Sequence, residues 1–185
     1  MLKTGQAVQH GISTYMLQVM VERGVVDRIG RGLYRLTDMP PLSEPDFIAV
    51  TAKMPGGVIC LISALSFHGL TTQIPHQVMV ALPRRLRGVQ PKTPYPPIRV
   101  FWFGERAFEA GVETHEIDRH SVRIYSREKT IADCFKYRNK IGFDVALEAL
   151  RMYTAGRSTK VDALVEFARV CRVENVMRPY LESLL

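Results

Sequence analysis

Several polar side chains near the start of the chain have the spacing needed to contact the base edges of DNA. They share one side of a predicted helix, and they are Ser13, Thr14, Tyr15 and Gln18. Hydroxyl and amide groups exchange hydrogen bonds with base edges in the major groove, so this strip predicts a sequence-reading surface. Ser13 is also expected to cap the helix, because its hydroxyl can accept from a free backbone N–H group.

A basic hairpin is predicted immediately after this helix. Short β-branched and aromatic segments flank a glycine turn between residues 25 and 36, which is typical of two strands joined as a wing. Arg28, Arg31 and Arg35 lie on or beside the wing, and guanidinium groups bind the phosphates that flank a recognition helix. The pattern therefore predicts a helix for the major groove and a cationic wing for the backbone.

The elements that must position these side chains fit the spacing of a helix-turn-helix. Ala7 falls where two helices cross closely, and Gly11 falls at the tight turn. Few residues precede Thr4, so we expect the first helix of an ordinary winged domain to be missing, or its place to be covered by the rest of the chain. The apolar positions expected to pack inward are Ile12, Leu17 and Met20.

Composition limits the partners and the compartment. The 185 residues include 25 Lys plus Arg against 18 Asp plus Glu, and the net charge of +7 favours an anionic partner such as nucleic acid. Neither a membrane span nor a secretory signal is recognisable, which predicts a cytoplasmic protein that does not bind membranes. The three cysteines lie far apart in apolar contexts and are predicted to be buried free thiols: Cys60, Cys134 and Cys171.

The rest of the chain predicts a larger second domain. Prolines between residues 37 and 42 interrupt regular structure, which predicts a domain boundary there. Residues 1–40 would then form the winged helix-turn-helix, and residues 41–185 would form the second domain. Ser43 with Asp46 is typical of a helix start. Strands are predicted at 77–82, 98–103, 112–117 and 121–125, with helices at 63–69 and after Ser126. The apolar run at 57–62 is typical of a strand buried on both faces or of the entry to a buried helix. We therefore predict an α+β protein whose mixed α/β domain has a small sheet and C-terminal helices.

Two further features of the second domain could bear on function. The loop at 83–97 is rich in arginine and proline and is a candidate accessory contact surface. Ser126, Lys129, Thr130 and Asp133 line the start of a predicted helix. A hydroxyl cap and exposed charges commonly satisfy free backbone amides at such a start.

Catalytic interpretations of the remaining polar residues are weak. Ser126 and Lys129 match the Ser-x-x-Lys of acyl-enzymes, but the partner motifs of that fold are missing. His115 and His120 lie near acidic residues without the spacing of a metal site, so solvated strand edges are expected there. His68 is predicted to be a core histidine with one satisfied ring nitrogen. No catalytic residue, metal or cofactor is predicted, and the chain is not expected to be an enzyme.

Three segments together resemble the AbiEi family of antitoxins, from type IV toxin-antitoxin and phage abortive-infection systems. The wing at 30–36 resembles that of the family, residues 58–71 resemble the opening of its second domain, and residues 125–135 resemble a motif in its middle. The resemblance implies a winged helix-turn-helix transcriptional regulator that binds double-stranded promoter DNA and represses its own operon. It also implies a second domain that counteracts a nucleotidyltransferase-like toxin without a stable complex.

Carried over by position, the resemblance assigns the antitoxin role to a short motif in the second domain. That motif is Ser126, Glu128, Lys129, Thr130 and Asp133. An alternative remains open, in which the DNA-binding segment is vestigial and the chain is a protein-binding module or a small enzyme acting on the toxin or on RNA.

Overall fold

The computed structural model describes residues 1–39, 42–88, 95–156 and 158–184. Helices and strands are both abundant and the strands form two separate sheets, which confirms the predicted α+β class. The boundary predicted at residues 40 and 41 lies outside the described residues, as does the 89–94 part of the basic loop. The division of the chain into domains 1–40 and 41–185 therefore stays a prediction.

The N-terminal unit contains two helices and a three-stranded antiparallel sheet in the order β1-β3-β2. Its elements are β1 (Leu2–Lys3), α1 (Thr4–Gln9), α2 (Thr14–Glu22), β2 (Val26–Gly30) and β3 (Leu33–Leu36). The two predicted helices and the hairpin are thus present. The residues before α1 form a short strand on β3 rather than a helix, an addition that the sequence pattern did not predict.

Local chemistry explains the sharp turn between α1 and α2. Gly11 has a φ of +80°, a left-handed conformation that a residue with a Cβ atom rarely adopts. The Ser13 hydroxyl then accepts a hydrogen bond from the Met16 N–H at 3.1 Å and caps α2, as predicted. Ala7 and Leu17 are buried where the helices meet, so apolar contact holds the pair together.

The second sheet has five strands in the order β6-β5-β4-β8-β7. Its strands are β4 (Val58–Ile59), β5 (Val78–Pro83), β6 (Ile98–Phe103), β7 (Val112–Ile117) and β8 (His120–Tyr125). The pairs β5–β6 and β4–β8 are parallel, whereas β4–β5 and β7–β8 are antiparallel, so the sheet is mixed. A 3₁₀ turn at Arg84–Leu86 follows β5 at the start of the arginine- and proline-rich loop.

Helices cover both faces of this sheet. They are α3 (Pro45–Lys53), α4 (Leu61–Phe67), α5 (Glu105–Glu109), α6 (Arg127–Lys136), α7 (Arg138–Ile141), α8 (Phe143–Thr154), α9 (Val161–Val170) and α10 (Glu174–Glu182). Alternate side chains of β5 point to opposite faces: Val78 and Val80 pack with α3, whereas Met79 and Ala81 pack with α4 and α6. Helices α8, α9 and α10 extend the second of these cores.

One local prediction for this domain was wrong. Ser43 does not cap α3; its N–H and hydroxyl donate to Asp118 at 2.8 and 2.9 Å, because this long-range pairing outcompetes the local cap. The apolar run at 57–62 combines the two structures expected of it, since it forms the short strand β4 and then enters the buried helix α4.

Candidate functional site

The outer face of α2 is an exposed and mainly polar surface of the N-terminal unit. The structure places Ser13, Thr14, Tyr15 and Gln18 all in solvent, as the sequence predicted for this strip. Tyr15 is 77% exposed, so its ring can reach a neighbouring molecule. The Gln18 side-chain amide donates to Glu22 at 3.2 Å, which holds the amide along the helix and leaves its carbonyl oxygen free of this contact.

Sequence reasoning missed two apolar members of this surface. Met16 on α2 is 51% exposed and Val8 on α1 is 53% exposed. Exposed aliphatic groups beside a polar recognition strip can contact thymine methyl groups in the major groove. The sequence contained a signal for the exposure of Met16. This residue directly follows the polar residues Ser13, Thr14 and Tyr15, and it lies next to Leu17, which faces inward.

The wing presents two of its three predicted arginines to solvent. Arg28 and Arg31 are exposed, on β2 and in the turn that follows it. Arg35 lies opposite Asp27 in the β2–β3 register, whereas Arg28 lies opposite Tyr34. Neighbouring register positions face opposite sides of a sheet, so Arg35 and Arg28 project from different faces. The structure therefore does not bring Arg35 to the surface that carries Arg28.

Arg35 instead borders the second domain. It is half-buried and lines a cavity of about 190 Å³ together with the turn between β7 and β8, which includes Asp118, Arg119 and His120. A role in positioning the wing against the sheet fits this location better than a phosphate contact. Among the three wing arginines, the cationic surface available to a duplex thus comes from Arg28 and Arg31.

The wing is also fixed against α3. A Cβ atom on Gly30 would lie 3.3 Å from Lys53 Nζ, so the β2 backbone passes close to that side chain. Lys53 donates from Nζ to the Tyr95 carbonyl oxygen at 2.6 Å, and partial burial lowers the pKa of the Lys53 ammonium. These contacts tie the hairpin to one face of the five-stranded sheet.

The predicted antitoxin motif lies on α6, and most of it is buried. Ser126 caps the helix by accepting from the Lys129 N–H at 3.3 Å, as predicted, and the Thr130 hydroxyl donates to the Tyr125 carbonyl at 3.2 Å. Glu128 is half-buried and accepts a hydrogen bond from the Tyr153 hydroxyl at 2.6 Å. Burial and this bond together raise the pKa of Tyr153 to about 12.

The expectation of exposed charges at this helix start was wrong for Lys129 and Asp133. Both side chains are fully buried, and Lys129 Nζ donates to Asp133 Oδ2 at 2.5 Å. The reason is tertiary: the rings of Tyr125 and Phe103 face the ammonium, with centroids 4.1 and 4.9 Å from Nζ. The Cys171 thiol donates to the second Asp133 oxygen at 3.1 Å.

Burial dominates the electrostatics of this cluster. Loss of solvation raises the pKa of the Asp133 carboxyl above its ordinary value, and the adjacent Lys129 ammonium opposes that rise. The Cys171 thiol has its pKa raised for the same primary reason, with a further contribution from Asp133. Cys60, Cys134 and Cys171 are all buried and unbonded to one another, which confirms the prediction of buried free thiols.

Two histidines and an acid near β7 line one cavity of about 440 Å³, and they are His68, His115 and Glu113. His68 is held by a 2.7 Å contact from Nε2 to the Tyr125 carbonyl, and partial burial lowers the pKa of its ring. The predicted satisfied ring nitrogen is confirmed, whereas the predicted core position is wrong, because the side chain is half-buried beside this cavity. His115 contacts Glu113 at 3.2 Å at the sheet edge. Within the described parts of the chain, no three His, Cys, Asp or Glu residues are grouped as a metal site would require.

Comparison with known proteins identifies the N-terminal unit. Residues 1–37 match a family model described as "Transcriptional regulator, AbiEi antitoxin". The resemblance inferred from the sequence is therefore confirmed over these residues, which include α1, α2 and the wing. A search among curated proteins found no match to the chain. None of the helices in the described residues is both long enough and apolar enough to cross a bilayer.

Proposed function

Because residues 1–37 match the AbiEi regulator model, we propose that this chain is a DNA-binding antitoxin that represses its own operon and counteracts a nucleotidyltransferase-like toxin encoded beside it. The observation that carries the proposal is the exposed polar face of α2, with Tyr15 and Gln18 in solvent, on a unit that also exposes Arg28 and Arg31. In this proposal both tasks are carried out in the cytoplasm, without catalysis and without a cofactor.

In this proposal α2 enters the major groove of double-stranded promoter DNA. Hydroxyl and amide groups of Thr14, Tyr15 and Gln18 contact base edges, while Ser13 keeps the helix start intact through its cap. Arg28 and Arg31 contact phosphates beside the groove, which releases counterions and makes affinity depend on salt. Phosphate contacts would set the position of the unit on the duplex, and base contacts would select the sequence.

Replacing Arg31 with glutamine should weaken binding to every duplex and reduce the salt dependence. The slope of log affinity against log salt concentration is expected to fall by about one for one lost phosphate contact. Fluorescence anisotropy with promoter and scrambled duplexes over a range of salt concentrations measures both quantities. Arg151→Gln removes an equal charge from an exposed position on α8 and serves as the control. An unchanged slope for Arg31→Gln would show that the wing is not part of the DNA interface.

Replacing Gln18 with alanine should change which sequence is preferred rather than affinity for all sequences. Loss of a base contact typically costs about 1–3 kcal/mol at one base pair. Binding to a library of promoter variants, each with one base pair changed, reports this as a loss of discrimination at a single position. Glu22→Gln is the companion variant, because it weakens the bond that orients Gln18. An equal loss of affinity for every duplex in the library would show that α2 does not read bases through Gln18.

The resemblance of residues 125–135 to the family motif supports a proposal for the antitoxin task, with that task in the second domain. We propose that the domain acts on its toxin without a stable complex, in a system that defends against phage. The direct test is growth of cells that express the neighbouring toxin gene, with and without this chain. Growth should be restored by the intact chain and by an Arg28→Gln, Arg31→Gln variant that no longer binds the promoter. Failure of the intact chain to restore growth would contradict the antitoxin assignment.

A further inference from the structure

A basic cavity of about 330 Å³ lies beside the buried Lys129–Asp133 pair, on the face of the five-stranded sheet that α6 and α9 cover. Asp133 and Cys171 reach its floor, and the aromatic side chains of Phe103 and Tyr137 form part of its wall. The cationic residues that line it come from four separate places in the chain, and they are Arg84, Arg106, Lys136, Arg169 and Arg172.

The cations of this cavity are not neutralised by the acids around them. The acidic lining residues are Glu105, which is bonded to Arg85 at 2.7 Å, and Asp133, which is paired with Lys129. Of the five lining cations, Arg169 has an ion-pair partner, Glu174 at 3.0 Å. The side chains of the other four have no hydrogen-bond or ion-pair partner within the described ranges. Like charges held around one concavity repel each other, and a bound anion would relieve that repulsion.

Helix ends alone do not account for this arrangement. Lys136 and Arg169 lie in the last turns of α6 and α9, where the helix dipole favours a cation without any ligand. Arg84 lies in the three-residue 3₁₀ turn after β5 and Arg106 in the last turn of the five-residue α5. These are separate short elements, so no shared helix end explains why the two side chains converge on the same cavity. Arg172 adopts a φ of +58° after α9 and completes the ring of positive charge.

We propose that this cavity binds an oligophosphate, either free or as the phosphate chain of a nucleotide. Guanidinium groups bind phosphate oxygens in pairs, and several of them around one pocket match a chain of linked phosphates. The volume lies in the range of small-ligand pockets and cannot admit a duplex. The wing, moreover, packs with α3 on the opposite face of the sheet. The cavity is therefore a second ligand site, independent of the function proposed above.

Titration calorimetry on the full chain tests the proposal with sodium tripolyphosphate and with ATP as probes. We expect saturable binding of both, weakened at least about tenfold by the double substitution Arg106→Gln, Arg172→Gln. The matched control, Arg119→Gln with Arg151→Gln, removes the same charge from exposed positions outside the cavity and should leave the affinity within about twofold. Thermal unfolding of each variant verifies that the fold is intact.

The relative affinities identify the source of the phosphate. Equal binding of tripolyphosphate and ATP supports recognition of the phosphate chain alone, and tighter binding of ATP supports a nucleotide. Dissociation constants above about 1 mM for both probes would overturn the proposal. An equal loss of affinity in the control double variant would also overturn the proposal, because the overall positive charge of the protein would then explain the binding. If the cavity variants lose promoter binding and neither probe binds, the surface is a DNA contact instead.

Discussion

Replacement of Lys129 with alanine is expected to lower the free energy of unfolding by about 3–5 kcal/mol, because it leaves the Asp133 carboxylate buried without its cation. The Lys129 ammonium lies 2.5 Å from the Asp133 carboxylate and 4.1 Å from the centre of the Tyr125 ring. Solvent does not reach this place, so water cannot take over the role of the ammonium. Denaturant unfolding followed by circular dichroism measures the loss. Arg127→Ala, an exposed position on the same helix, should change stability by less than about 0.5 kcal/mol.

The loss of unfolding free energy caused by Lys129→Ala should depend on pH. With the ammonium removed, burial is opposed only by the hydrogen bond from Cys171, so the folded-state pKa of Asp133 moves further above the ordinary value of 3.8. The folded variant then holds a proton that the unfolded chain releases as pH rises above that value, so stability falls with rising pH. The penalty is therefore expected to be small near the ordinary pKa of aspartate and largest at neutral pH. A penalty that does not change with pH would show that Asp133 is not the group left unpaired.

An apolar replacement of the whole pair separates structure from function. Lys129→Met combined with Asp133→Leu removes both charges and keeps the volume, and such exchanges are often neutral or stabilising by about 1–4 kcal/mol. We expect this variant to fold and to bind promoter DNA but to fail in the growth test against the toxin. Restored stability with full toxin neutralisation would instead make the pair a purely structural element and would contradict its place in the antitoxin motif.

The second large effect is expected at Gly111, between α5 and β7. Its φ is +68°, and a Cβ atom there would lie 2.6 Å from Lys129 Cβ and 3.0 Å from Phe167 Cε1. Gly111→Ala should therefore lower the free energy of unfolding by about 3 kcal/mol or more, from overpacking and backbone strain combined. The backbone carbonyl of Gly111 accepts from the Ser126 N–H at 2.8 Å, so movement of this loop would also disturb the start of α6.

Gly56→Ala provides the matched control for Gly111. No atom lies within 4 Å of a Cβ atom at Gly56, and its φ is not in the left-handed region. Its expected effect on unfolding is less than about 0.5 kcal/mol, measured in the same denaturant experiment. A second check is Gly111→Ala in the Lys129→Ala background. Alanine at position 129 keeps the Cβ atom that makes the closest contact with a Cβ atom at position 111. The double variant should therefore show both losses in the free energy of unfolding. Relief of the Gly111 penalty in that background would contradict the steric explanation.

The sequence predicted the local elements of the N-terminal unit because their signals are short-range. The Gly11 turn, the Ser13 cap and the exposed side of α2 all depend on residues within a few positions of one another. The same holds for β6 and β7, whose alternating patterns have the bounds that the structure gives them. Residues 1–37 also carried enough of the family pattern to be recognised.

Pairing across long separations could not be predicted in this way. Ser43 resembled a cap in its local context, yet it bonds to Asp118, 75 positions further along the chain. Arg35 resembled the other wing arginines, but the hairpin register and the nearby β7–β8 turn place it at the border with the second domain. The cations of the basic cavity come from the turn after β5, from α5 and α6, and from the end of α9 and the residues after it. Nothing in their sequence spacing predicts that they meet.

By itself, the sequence determined a basic protein with a capped helix, a cationic hairpin and an α+β content, since composition and periodicity depend only on neighbouring residues. The tertiary structure alone decided which charges are buried and which converge. On α6 the sequence shows a lysine and an aspartate four positions apart, a spacing that exposed helices share. Packing of Tyr125, Phe103 and Cys171 around them removes the water, and that change of environment turns an ordinary surface pair into a buried one.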